Sequence, residues 1–273
     1  LRGGYASKNS EWVRTIGVGY VGDKVDAILM YSQRTGHELK SRGDGPYFYT
    51  TKSQHPDPVT SRFHSYLAKL GYQLTPHHKI GVGINGQQGS RYVDERSYTS
   101  FGSAWREADD QSKRINVNAY YLYTPDSKYL AFSKFDVDYQ KTDLAAVNYK
   151  GLRHWRTNEK QLGEVFDRRM KTEFKRASAE LESMPFNWGG EHVLSFKTYA
   201  SERVFRNINH DTNEYGLDEW YTIQRPVKTK MYGASLKDQI TWRPHFESGW
   251  KPIFSANIGT RYDYAKLSPK GLN

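Results

Sequence analysis

At 273 residues the chain could form one large domain or two small ones, and with only 37% hydrophobic residues it reads on average as a very polar protein. No run approaches the ~18 consecutive apolar residues of a membrane-spanning helix, and a formal charge of +10 spread over the whole chain, with no nucleic-acid motif, argues against nucleic acid as a partner. The absence of Cys and the 21 Tyr fit a β protein that crosses an oxidising compartment.

Taken in chain order, period-two alternation marks about ten extended runs. Glu11 to Val21 opens the series, and Lys24 to Gln33 follows with Val25, Ala27, Leu29 and Tyr31 on one face. After Ser61 to Leu74, the run Lys79 to Gln87 sets Ile80, Val82 and Ile84 opposite Gly81, Gly83 and Asn85. Arg114 to Tyr123 and Tyr129 to Gln140 continue it, the latter with Phe135, Val137 and Tyr139 against Lys134, Asp136, Asp138 and Gln140. In Val165 to Lys175 a charged face (Asp167, Arg169, Lys171, Glu173, Lys175) opposes Phe166, Met170, Thr172 and Phe174, and the charged face is assigned to a wet interior. Glu191 to Arg203, Lys230 to Trp242 and Pro252 to Tyr264 complete the set.

The connections alternate in length. Val21-Gly22-Asp23, Thr75-Pro76-His77 and Pro125-Asp126-Ser127 are tight turns, whereas Thr35 to Val59, Tyr92 to Lys113, Thr142 to Gly163 and Phe205 to Lys228 are long excursions. Alternating short and long connections, with runs longer than the ~5 to 6 residues usual for soluble sheets, predict an all-β fold: a transmembrane antiparallel β-barrel with short periplasmic turns and long extracellular loops, in a bacterial outer membrane. Tyr72, Tyr123, Tyr129, Trp242 and Trp250 near the short turns fit an interfacial aromatic girdle against membrane lipid.

The run Tyr31-Ser32-Gln33-Arg34-Thr35-Gly36-His37-Glu38-Leu39, followed by Arg42-Gly43-Asp44-Gly45, resembles the strand-to-loop passage of TonB-dependent outer-membrane receptors of the haemoglobin and transferrin class. The run Ile258-Gly259-Thr260-Arg261-Tyr262-Asp263-Tyr264 resembles a later strand of the same barrels. The resemblance implies about ten strands of a wall of roughly 22, so that residues 1–273 form part of one barrel domain, with the plug domain and remaining strands outside them. It implies capture of haemoglobin or a related host iron carrier, import of haem iron driven through the TonB complex, and a lipoprotein co-receptor. It implies no covalent cofactor, no metal site and no enzyme activity; haem would be cargo. Transferrin, lactoferrin or siderophore reception is the nearest alternative, and a passive porin or a ten-stranded outer-membrane protease built on Asp136 and Asp138 is a second.

Candidate ligand-binding residues come from the long excursions, because exposed aromatics beside basic groups anchor protein interfaces and His or Tyr can ligate haem. They are Tyr47, Tyr49, Trp105, His154, Trp155, His210, Trp220 and Tyr221, with Phe48, His37 and His55 as neighbours and Arg153, Arg156 and Arg225 as basic partners for acidic groups, haem propionates or lipid phosphates.

Overall fold

A computed structural model describes residues 1–40, 56–96, 103–244 and 251–269. The described residues contain β1 (Arg2–Ala6), β2 (Glu11–Val21), β3 (Val25–His37), β4 (Val59–Thr75), β5 (His78–Asp94), β6 (Ala104–Tyr123) and β7 (Leu130–Arg153). They continue with β8 (Lys160–Ser183), β9 (Phe186–Asn187), β10 (Glu191–Asn213), β11 (Asp218–Tyr221), β12 (Val227–Trp242) and β13 (Phe254–Pro269). All lie in one antiparallel sheet whose order follows the chain, β1 through β8, then β10, β12 and β13; β9 and β11 are short partners of β10 at its two ends. Every run expected from alternation is a strand, and β1, β9 and β11, too short to show a period, are additional.

Register explains why these sequences pair as they do. One cross-strand row runs from β3 to β13 through Ala27, Leu70, Val82, Ala119, Val137, Ala177, Ala200, Tyr232 and Tyr264. The adjacent row toward the short turns is Val25, Tyr72, Ile80, Tyr121, Phe135, Ala179, Thr198, Ala234 and Tyr262. A one-residue slip in any strand would replace this apolar face by polar groups, so the pattern fixes the register. The face remains uncovered: Val82 and Val137 are each 55% exposed, and the buried hydrophobics among the described residues are Trp105, Ala108 and Ile240. A sheet with a continuous apolar face and almost no core needs an apolar solvent, and lipid supplies one.

The opposite face is polar and internally neutralised. Arg176 pairs with Asp138 at 2.8 Å, Lys134 with Asp136 at 2.8 Å, and Arg261 with Asp263 at 2.6 Å. Tyr120 lies flat over Gly81, where any Cβ would strike the ring. Asp138 is thus tied across to β8, while Asp136 pairs with Lys134 of its own strand.

Three expectations need correction. The excursion from Thr142 to Gly163 is largely strand: β7 and β8 are each 24 residues and meet at a six-residue connection, 154–159. An apolar band needs only ~9 to 11 tilted residues per strand, so both project well beyond it. Their hydrogen-bonded ladder satisfies backbone groups that an irregular loop would leave to water. The rhythm is also imperfect, since β1 and β2 are joined by a short turn at the long-connection rim, and the interval in sequence from Trp242 to Phe254 at the other is longer than a tight turn. Third, the charged face of Val165 to Lys175 is not interior. Tyr139 opposes Lys175, Lys141 opposes Glu173 and Asp143 opposes Lys171, which puts these charges on the same side as Phe135 and Val137. Parity within β8 alone could not reveal this, because its membrane-level residues, Ala177 and Ala179, are small and lie C-terminal to that run.

The boundary between apolar and charged residues crosses the register obliquely. On the apolar side charges begin at Lys113 in β6, at Lys141 in β7 and at Lys175 in β8, each further toward the short turns by register, and the row of Lys175 then continues through Glu202 in β10 and Lys230 in β12. That drift is what strands tilted in a membrane require, since a row perpendicular to tilted strands climbs relative to the membrane plane.

Candidate functional site

At the long-connection rim, β10 outlasts the membrane-level sheet and folds back on itself. Asn213 makes the turn: its Oδ1 accepts the backbone N–H groups of Tyr215 and Leu217 at 3.0 and 2.9 Å, and Gly216 takes a φ of +91°. The resulting β10–β11 hairpin presents two clusters, one on each side of the sheet.

On the apolar-belt side His210 stacks on Trp220, with ring centroids 3.9 Å apart and planes 7° off parallel, and its Nε2 is 2.6 Å from the Asp218 carboxylate. On the polar side the Arg168 guanidinium forks onto Asp211, with Nη2 3.1 Å from Oδ2, and Tyr221 donates to the same carboxylate at 2.9 Å. Arg168 lies over both the Phe166 and Tyr221 rings at 5.4 Å, and the Lys150 ammonium lies over Phe166 at 4.9 Å. Arg106 reaches Asn148 at 3.3 Å and Glu95 at 2.8 Å. Arg106, Asn148, Lys150, Phe166 and Arg168 line a depression of about 260 Å³.

This cationic and aromatic ledge is held from below by Asn207 and Asn209. Asn209 is fully buried, the two side-chain amides bond each other at 3.1 and 3.3 Å, and Asn207 also accepts the Ile223 N–H at 3.2 Å. The charge-assisted bond from Arg168 holds the Asp211 carboxyl below the usual carboxylate range, and the bond to Asp211 raises the Tyr221 phenol. Geometry of this kind can stack a flat or aromatic group and meet an acidic one with fixed donors.

The expected site residues divide into separate groups. Tyr47 and Tyr49, with Phe48 and His55, lie outside the described residues. His210, Trp220 and Tyr221 share the β10–β11 hairpin, but Tyr221 faces away from the other two. His154 and Trp155 occupy the β7–β8 turn: the His154 Nδ1 accepts the Thr157 N–H at 3.2 Å, while Trp155 is 80% exposed under the Arg156 guanidinium. Trp105 is no surface anchor. It is 5% exposed and donates to the Gln161 carbonyl at 3.0 Å, roofing the bulge where Gly151 meets β8. Phe166, Arg168 and Asp211, none of them among the expected binding residues, form the centre of the ledge. No cluster of three or more His, Asp or Glu suited to a metal occurs among the described residues.

A continuous up-and-down sheet with an uncovered apolar belt, a polar face carrying ion pairs and strands projecting from one rim defines the class: a stretch of transmembrane β-barrel wall, similar in fold to that of outer-membrane receptors. Within that class the chain is similar to hemoglobin-haptoglobin utilization protein B of Neisseria meningitidis serogroup A, at 24% identity over 99% of this chain and 38% of the relative's length. The serogroup C protein of the same name gives the same figures. The chain thus spans about two fifths of the length of these curated relatives. Among solved structures, Pseudomonas aeruginosa FpvA bound to a heterologous pyoverdine-iron complex superposes with a TM-score of 0.59 at 13% identity, over 98% of this chain and 37% of that one, a likeness of fold. No family model matches the chain.

Proposed function

We propose that this chain forms barrel wall and outer rim of an outer-membrane receptor that captures haemoglobin, or a haemoglobin-haptoglobin complex, and passes haem iron inward. The observation that supports this reading is the similarity of 99% of the chain to proteins named for haemoglobin-haptoglobin utilisation. With short turns periplasmic, as in barrels of this class, the ledge around Arg168 and the exposed Trp155 stand on the outer rim. In this reading uptake is energised by TonB through a plug, a lipoprotein co-receptor assists capture, haem is cargo rather than cofactor, and the chain is not an enzyme.

The test uses the full-length protein on whole cells, with haemoglobin capture as the readout and heat-modifiable gel migration as the check on folding. Trp155→Ala and the pair Arg168→Ala/Tyr221→Ala are expected to weaken capture roughly tenfold or more, as for central anchors of an interface, with insertion unchanged. Capture unaltered in both variants would remove the rim from the contact surface. Transferrin competing where haemoglobin does not would replace the ligand.

A further inference from the structure

Two guanidiniums on the polar face stand outside its ion pairs. Arg114 on β6 and Arg203 on β10 are exposed, lie on the same side of the sheet as Asp138 and Arg176, and have no ion-pair partner among the described residues. The acid nearest to Arg203 on that face by register, Asp138, is already held by Arg176. The strands β6, β7, β8 and β10 are consecutive in the sheet, so Arg114 and Arg203 lie about 14 Å apart across it. The strip between them consists of Thr142 and Thr172 in the row of Arg114, and of Gln140 and Phe174 in the row of Arg203.

This strip repeats the chemistry of the ledge at a lower level. Phe166 with Arg168 at the rim, and Phe174 with Arg176 in mid-sheet, are the same Phe-x-Arg pair on one face of β8, about 27 Å apart along the strand. Between the two levels that face presents Ala146 and Leu144 on β7, Met170 on β8, and Asn209, Asn207 and Phe205 on β10, with no acidic group among them. Immediately below the strip, Phe174, Arg176, Tyr199 and Met231 line a depression of about 320 Å³.

From this repeat we infer that the mid-sheet strip is a second binding site, for a flat conjugated molecule that bears two carboxylates. Arg114 and Arg203 fork onto the carboxylates, Phe174 stacks on the ring system, and the depression beneath takes its edge. The unpaired guanidiniums select an anion, and the phenyl ring selects a flat apolar face. The uncharged wall above lets such a molecule move down from the ledge without meeting a repelling carboxylate. The site rests on the proposed capture function for its direction of travel, from outer rim to interior.

Full-length protein carrying Arg168→Ala/Tyr221→Ala, which takes the ledge out of the measurement, is titrated in detergent with a metal-free porphyrin dicarboxylic acid, and binding is read by porphyrin fluorescence polarisation. Adding Arg114→Gln/Arg203→Gln is expected to weaken binding by roughly tenfold or more, with heat-modifiable migration unchanged. Arg114→Lys/Arg203→Lys, which keeps the charge but loses the fork, should fall between the two. Lys69→Gln/Lys237→Gln, the same charge removed elsewhere on the polar face, should leave affinity unchanged. Equal affinity of the Gln pair and its parent would overturn the site, as would equal affinity of the parent for the porphyrin dimethyl ester. Loss of binding on Phe174→Leu supports the stacking role, and its retention would overturn that role. Haemoglobin capture by whole cells is measured in parallel on the wild type. Absent capture with the porphyrin result intact would remove the capture function and leave the site; intact capture with equal porphyrin affinities would do the reverse.

Discussion

Arg168, Asp211 and Tyr221 show how a few side chains can organise an outer rim. Asp211 accepts from both partners, so its removal leaves a guanidinium held between two rings without its counter-ion. Asp211→Ala is expected to open the β10–β11 hairpin locally, seen as faster amide hydrogen exchange from Asn209 to Trp220, with barrel insertion unchanged. The folded carboxyl sits below its ordinary 3.8. Its contribution is therefore complete above about pH 4 and is lost only as pH falls through the lowered value. Trp220 and Tyr221 fluorescence should stay flat from pH 8 to 5 and change only in stronger acid; a transition above pH 5 would remove the linkage to Asp211.

Gly151 acts through space alone. A Cβ there would run into the Gln161 carbonyl beneath the buried Trp105, so Gly151→Ala should cost roughly 1 to 3 kcal/mol. The loss should be local to the tops of β7 and β8 and visible as increased protease cleavage at 154–159. These residue-level roles were poorly legible in the sequence. Trp105 looks like any loop aromatic until the bulge of β7 against β8 places it as a roof, and Arg168 appears as a break in an apolar face until β11 brings Tyr221 beside it.

At the scale of elements, parity is the controlling variable. In β7 the pattern is readable because Phe135, Val137 and Tyr139 lie at membrane level beside charged alternates, and Val137 indeed falls in the belt. In β8 the readable pattern lies above the membrane, where both faces meet water, and alternation there no longer says which face looks outward. Only the pairing of Tyr139 with Lys175 does. The distinction is testable by position: Val137→Arg, near the middle of the belt, should cost about 2 to 4 kcal/mol of folding in a bilayer. The same charge introduced at Thr142 on the polar face should cost little. A Val137→Arg penalty no larger than that at Thr142 in urea titrations from vesicles would overturn the assignment of Val137 to the lipid-facing side.

For the molecule as a whole, the sheet has two edges, β1 and β13, and one uncovered apolar side. Expressed alone in aqueous buffer, residues 1–273 should aggregate through both features. Detergent should restore solubility by covering the belt without pairing the edges; a monodisperse monomer without detergent in sedimentation would contradict the membrane assignment. The long rim then concentrates whatever recognition the chain performs, since the other rim is built mostly of tight turns and the belt faces lipid.

The sequence by itself determined the strands, their shared apolar face and the preference for a membrane, because period two, strand length and turn residues are local and survive in one dimension. It also located the aromatic and basic character of the long excursions. Tertiary structure alone decided where membrane level ends, which side the β8 charges occupy, and that the excursion from Thr142 to Gly163 is mostly projecting strand. Those outcomes depend on register between strands far apart in the chain, and no local pattern encodes that register once both faces of a strand are wet.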